Sequence, residues 1–207
     1  MGTKIVLLDY AALAYIMFRQ LCLRRFGVCP FFQLRTPIKI LDCLAAAIEA
    51  LNECPSQLQE KYSLLMSKNC LLAEYFSICI DDKGYLIGLP ELLNGYRPLP
   101  EELPMFIWNL CLIPWENEYD CFDGVANQLG IFYSMLSRNS DVNSPREANH
   151  KMKSPEGRLS ESGLHTLVYS ILPAMKQLVV AKEDYEDMGF ITQLASLEQL
   201  YKVFERC

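Results

Sequence analysis

The stretch ENEYDCFDGVANQLGIFYSML, residues 116–136, carries the clearest helical signal in the chain. Tyr119, Phe122, Val125, Ala126, Leu129, Phe132, Tyr133 and Leu136 recur at spacings of three and four, which lines them along one face of an α-helix. A helix with so broad an apolar face must be buried against something. Upstream of it, Asp81-Asp82-Lys83-Gly84 is a compact turn between two β-prone runs, Tyr75–Ile80 and Tyr85–Gly88, and Gly84 can take the positive φ of a hairpin. Helix and hairpin together, in 207 residues, predict a mixed α/β or α+β fold, as one domain or two small lobes sharing a core.

Working outward, Ile5–Leu8 reads as a buried strand, and Leu13, Ile16, Met17 and Leu21 mark a helix over Tyr10–Arg25 that Gly27 and Pro30 end. Phe31–Arg35 is a second strand. Thr36 followed by Pro37 reads as an N-cap and first helical residue, opening a helix to Cys54 with Leu41, Leu44, Ile48 and Leu51 on one stripe. Leu58, Tyr62, Leu65, Leu72 and Phe76 mark the next helix, an antiparallel neighbour of its predecessor. Pro90, Gly95, Pro98, Pro100 and Pro104 make the segment from Gly88 to Pro104 irregular, and the apolar run Leu103–Ile113, bounded by prolines, is expected to be a strand. The Ser- and Asn-rich stretch of about 137–162 holds few large apolar residues and is expected to be a disordered loop. A helix from about Glu161 carries Leu164, Leu167, Val168, Ile171 and Leu172, and Pro173 kinks or ends it. After an acidic turn near Glu183–Asp187, Phe190–Leu194 reads as a strand, and Leu197, Leu200, Tyr201 and Phe204 as a last short helix.

Composition narrows the function classes. At 51% hydrophobic and 21% charged the chain is a folded globular protein, and its formal charge of −6 argues against nucleic-acid binding driven by bulk charge. The longest apolar run, Met105–Trp115, is interrupted by Asn109 and Pro114 and is too short to span a membrane. Nine cysteines, odd in number and with no C-x-x-C pair, form neither a disulfide framework nor a zinc site. All but the last are expected to be small buried hydrophobes. There is no G-x-S-x-G, phosphate loop or H-E-x-x-H. His165 is expected to be a half-buried helix residue, and an independent small hydrolase using it with a nearby carboxylate is the alternative reading. Cys207 ends the chain on a thiol beside a free carboxylate. One thiolate cannot complete a zinc site of four ligands, so a frayed tail and a shared metal site both stay open.

The ending Leu194-Ala195-Ser196-Leu197-Glu198-Gln199-Leu200-Tyr201-Lys202-Val203-Phe204-Glu205-Arg206-Cys207 resembles the terminus of the eukaryotic MutL homologues of DNA mismatch repair. Leu72–Ser77 with Ile80-Asp81, Leu86–Pro90, Leu103-Pro104 with Phe106-Ile107, and Cys121-Phe122 with Phe132–Ser134 are similar to the same proteins, in the same order. The resemblance implies a MutL C-terminal dimerisation domain over residues 1–207, without the N-terminal ATPase domain and without the usual first segment, so that Ile5–Leu8 is left as an exposed sheet edge. It implies a non-catalytic module that pairs with the endonuclease-bearing MutL subunit in the nucleus. The final Cys207 would supply a metal ligand in trans, with Phe204, Glu205 and Arg206 positioning it. The domain would have no cofactor of its own, with zinc possible at the shared site because a thiolate is a soft ligand. Exonuclease and other repair factors would dock through short aromatic peptide motifs, and DNA would be engaged only indirectly. The endonuclease motif D-Q-H-A-x-x-E-x-x-x-E is absent from the sequence, and a truncated product that binds the partner and blocks repair is a further reading.

Overall fold

The computed structural model describes residues 4–137, 158–180 and 188–196. In chain order the elements are β1 (Lys4–Leu8), α1 (Tyr10–Arg24), β2 (Phe31–Lys39), α2 (Ile40–Leu51), α3 (Leu58–Ser67), α4 (Asn69–Phe76), β3 (Cys79–Ile80), β4 (Tyr85–Pro90), α5 (Leu103–Leu110), α6 (Glu118–Ser134), α7 (Glu161–Thr166), a π turn (Leu167–Ile171), α8 (Leu172–Leu178) and β5 (Ile191–Ser196). Two antiparallel sheets result, β2-β4-β3 and the two-stranded ribbon β1-β5. The fold is mixed α/β, as the helix-plus-hairpin reading predicts.

The core forms where α1 crosses α6. Asp9 caps α1 by accepting hydrogen bonds from the N–H groups of Ala11 and Ala12 at 3.0 and 3.1 Å, and Asn117 caps α6 in the same way. Met17, Phe18, Val125, Leu129 and Tyr133 are wholly buried between these helices and their neighbours, each side chain contributing roughly 1.5–3 kcal/mol. Phe18 stacks on Tyr96 at 5.3 Å and tilts against Tyr133 at 5.5 Å. Both hydroxyls in that aromatic cluster are satisfied: Tyr96 donates to the Tyr133 carbonyl at 2.8 Å, and Tyr133 donates to the Pro90 carbonyl at the end of β4. Burial pushes the Tyr96 phenol up to about 12. At the rim of the α1–α6 contact, Asn127 accepts from Tyr15 at 2.9 Å and from Arg19 at 2.6 Å, and Arg19 pairs with Asp123.

Several expectations need correction. Leu103–Ile113 is not a strand: it forms α5 and a closing turn, with Pro104 in the first turn where its missing N–H costs nothing. Leu103, Phe106, Ile107, Trp108 and Leu110 are all buried, so a helix sunk on nearly every side produced an apolar run that periodicity cannot tell from a strand. Thr36 and Pro37 do not open a helix. They lie in β2, where the register passes from Gln33↔Gly88 to Ile38↔Leu86 and leaves Pro37 without a ladder partner it could not have bonded. Residues 58–76 are two helices broken at Lys68, whose N–H turns back to the Leu65 carbonyl. Tyr75 and Phe76 belong to α4, so only Cys79 and Ile80 remain of the first hairpin strand. Tyr119 is 77% exposed, because α6 overhangs the core in its first turn. Pro173 does not end its helix: the Leu172 N–H bonds five residues back to Leu167, and this wider turn lets the chain run on into α8. Of the expected loop, Leu159 packs against the core and Ser160 caps α7; residues 138–157 lie outside the described segments, as do the acidic turn at 183–187 and the final helix.

Candidate functional site

Exposed apolar side chains occur singly at Val28, Phe31 and Leu112, and gather in the β1-β5 ribbon and on the outer side of α7 and the π turn that follows it. In the ribbon, Val6 faces Gln193, Leu7 faces Thr192 and Leu8 faces Ile191. Successive strand residues point to opposite faces, yet Val6, Leu7 and Leu8 are all exposed, so both faces of the ribbon reach solvent. Between Ile5/Ala195 and Val6/Gln193 the register skips one residue, and that extra residue is Leu194. The bulge holds Leu194 out of the ladder and leaves it 61% exposed, beside Leu7 at 59%. No strand among the described residues pairs with the outer edge of either β1 or β5. A free two-stranded ribbon is marginal in water, and this one is tied down at its base by the Asp9 N–H donating to the Phe190 carbonyl at 2.9 Å.

The second exposed apolar feature follows from the breadth of the helix after Glu161. Gly163, Leu167, Ile171 and Met175 are buried, whereas Leu164, Val168 and Tyr169 are exposed. The far end of α8 is clamped onto α1: Gln20 donates to the Val180 carbonyl and accepts from its N–H, and Arg24 donates to the Leu178 carbonyl at 2.9 Å. Arg24 thus also places its charge at the negative end of the α8 dipole. The helix is held firmly while its outer stripe is left uncovered. An exposed Leu is ordinary by itself, but a run of them on a ribbon and a helix marks an interaction surface.

The titratable candidates are dispersed. His165 is exposed rather than half-buried, its ring lying 4.5 Å from that of Tyr169, and no hydrogen bond or ion pair joins it to a carboxylate among the described residues. Among the described residues no group of three or more His, Cys, Asp and Glu gathers to hold a metal ion. Cys22, Cys43, Cys111 and Cys121 are buried as expected, and burial pushes the thiols of Cys22 and Cys111 up to about 12 and that of Cys43 to about 11. Cys54 and Cys70 are exposed, which corrects the expectation for those two. Cys54 sits just before the turn Pro55–Gln57, its Sγ 3.0 Å from the Ser56 hydroxyl, and the hydrogen bonds from Ser56 lower its pKa. Phe204, Glu205, Arg206 and Cys207 lie outside the described residues. Among the described residues no helix is long and apolar enough to cross a membrane.

A family model described as DNA mismatch repair protein Mlh1 C-terminus matches residues 1–207. The chain belongs to the Mlh1 C-terminal family. It is 32% identical to the putative MutL protein homolog 1 of Schizosaccharomyces pombe over 96% of this chain and 27% of that protein. It is 29% identical to the DNA mismatch repair protein Mlh1 of Dictyostelium discoideum over 100% of this chain and 25% of that protein. With the DNA mismatch repair protein MLH1 of Saccharomyces cerevisiae it shares 28% identity over 99% and 28% of the two chains. The chain therefore spans about a quarter of the length of these relatives. The Mlh1 family match takes in both the ribbon and the Cys207 tail. Sequence reasoning finds the strands of the ribbon; the apolar residues alone read Ile5–Leu8 as buried, which the exposure of Val6, Leu7 and Leu8 corrects, and only the resemblance implies an exposed edge. The doubled stripe Leu164/Val168 beside Leu167/Ile171 was the available signal: it is wider than one core face requires.

Proposed function

We propose that this domain is the heterodimerisation module of a DNA mismatch-repair MutL protein and pairs with the endonuclease-bearing MutL homologue in the nucleus. The observation that carries the reading is the uncovered apolar ribbon, with Leu194 set outward by its bulge, in a chain of the Mlh1 C-terminal family. Obligate partners bury apolar interfaces of roughly 2,000 Å² or more, and a ribbon exposed on both faces beside an apolar helix stripe suits such a contact. In this reading the domain performs no catalysis. Cys207 supplies a thiolate to the partner's metal site, Phe204, Glu205 and Arg206 position it, and the softness of the thiolate favours zinc. DNA is reached through the partner and through the remainder of the longer protein, and exonuclease and other repair factors attach by short peptide motifs.

Co-expression with the endonuclease-bearing homologue tests both halves. Leu7→Asp combined with Leu194→Asp should abolish co-purification while leaving the circular dichroism and unfolding midpoint of the isolated chain nearly unchanged, because both side chains are exposed. Retained pairing overturns the assignment of the ribbon. Deleting Cys207 should preserve the pair and reduce metal-dependent nicking, and undiminished nicking overturns the trans-ligand role.

A further inference from the structure

Helices α5 and α6 together line a cleft of about 270 Å³. Its floor is the stack of two buried rings, Phe106 on α5 and Phe132 on α6, with centroids 4.6 Å apart and planes 11° from parallel. Met105 and Met135 add a flexible thioether from each helix. Asn109 lies one turn after Phe106, and Gln128 one turn before Phe132, so each helix brings a primary amide to the cleft. Glu102, one turn before Phe106, is the only charged residue that lines it. Asn109, Gln128 and Glu102 are half-buried, and none of the three makes a side-chain hydrogen bond or ion pair among the described residues. Asn127, next to Gln128 on the other side of α6, differs: its amide is engaged by Tyr15, Arg19 and Asp123.

We infer that this cleft binds a nucleobase that carries an exocyclic amino group, such as adenine or cytosine. A primary amide offers a donor and an acceptor in one plane, which is the pattern that the edge of a base complements. The Glu102 carboxylate can only accept, and the amino group supplies the N–H that it requires. Phenyl rings and thioethers suit a planar ring in the space between them. Charge excludes a phosphate from the cleft itself: no basic residue lines it, and the exposed Glu101 beside Glu102 adds a second negative charge. Arg97 lines a separate cleft that shares Phe132, and it is paired there with Glu91. An apolar ring would dehydrate both amides and the carboxylate without replacing their water, and an alkylammonium would pair with Glu102 but offer the amide N–H groups no acceptor. The base can belong to a free nucleoside or to an unpaired position of a strand whose phosphates stay outside. The site lies on α5 and α6 and stands apart from heterodimerisation through the ribbon, so either can fail without the other.

The test is NMR of the full chain with carbon-labelled methionine methyl groups, in which Met105→Leu and Met135→Leu assign the two relevant signals. Adenine and cytosine should shift both signals saturably, with dissociation constants below about 1 mM, the range open to a ligand of about ten heavy atoms. Uracil, which has no amino group, should bind several-fold more weakly than cytosine. Asn109→Leu and Gln128→Leu should each weaken adenine roughly tenfold, the scale of one lost hydrogen bond, while indole binds them as well as the parent or better. Adenosine monophosphate should bind no more tightly than adenosine, and the Leu7→Asp/Leu194→Asp chain should bind adenine as the parent does. Comparison of adenosine with an oligoadenylate separates the two sources. Shifts at lower base concentration with the oligonucleotide assign the site to an unpaired base of a strand, and shifts with adenosine alone assign it to a free nucleoside. No methyl shift with any base, equal binding of cytosine and uracil, parallel loss of adenine and indole in the leucine variants, or tighter binding of the monophosphate than of adenosine would each overturn the proposal.

Discussion

Gly163→Ala should destabilise this domain although alanine is the better helix former. A methyl group added at Gly163 would stand 2.1 Å from the Ser137 carbonyl oxygen and 3.1 Å from its carbon. That oxygen accepts hydrogen bonds from the Ser160 N–H and the Ser160 hydroxyl, both at 3.0 Å, and the same hydroxyl caps α7 by accepting from the Gly163 N–H at 3.0 Å. An ordinary carbon–oxygen contact requires a separation more than about 1 Å greater, which carries the carbonyl out of range of both donors. Losing two neutral hydrogen bonds costs roughly 2 kcal/mol, and residual crowding costs about 2 more. The higher helix propensity of alanine returns about 1 kcal/mol, leaving a net loss of about 3 kcal/mol. Urea unfolding followed by far-UV circular dichroism should show a lower midpoint at an unchanged slope. Ser160→Ala should cost about 1 kcal/mol by itself, and the double variant should fall well short of the sum, since the first substitution already breaks the bonds removed by the second. A Gly163→Ala protein as stable as the parent would refute the pinning of Ser137 to Ser160.

Two further outcomes are expected. Tyr133→Phe leaves the buried Pro90 carbonyl without its donor and should cost about 1–3 kcal/mol in the same assay, with Tyr96→Phe as the comparison; no loss would mean that water replaces the hydroxyl. Because its pKa is lowered, Cys54 holds more thiolate at any pH below its ordinary value of 9.0, and iodoacetamide at pH 8 should modify it well before the buried Cys22 and Cys111. Ser56→Ala should raise the Cys54 pKa and slow that modification, read by mass spectrometry; an unchanged rate would remove the role of the hydroxyl.

The parts of the fold that were legible in the sequence are those where one face is buried and the other is wet. The α6 helix, the α1 helix and the Asp81–Gly84 turn announced themselves in this way, the turn through Gly84 at φ +79°. What misled was burial on all sides or on none. In α5 the buried residues Phe106, Ile107 and Trp108 are consecutive, so no period survives to show a helix. Proline misled twice for a common reason: a missing N–H is tolerated wherever the backbone already forgoes a partner. Pro37 sits in the ladder skip of β2 and Pro104 in the first turn of α5, and sequence alone does not separate these from a helix start and a strand boundary. The lone terminal thiol has no legible role except through the resemblance, because a single cysteine carries no ligand spacing of its own.

The same logic bears on the proposal that the ribbon meets a second surface. If β1 and β5 served only to extend the hydrophobic core, alternation would bury Val6 and Leu8 on one face and leave Leu7 outward, or the reverse. Instead all three are exposed, while Phe190 and Ile191 at the base of the ribbon pack against the core. The anchoring lies at the base, and Val6, Leu7 and Leu194 beyond it are exposed. A bulge that only relieved strain could carry any residue; here it carries Leu194, turning one more apolar side chain outward at a cost in water that the isolated domain does not recover. An interface with a second chain recovers the hydrophobic free energy of both ribbon faces at once, which neither a slightly larger core nor a charged edge strand could do.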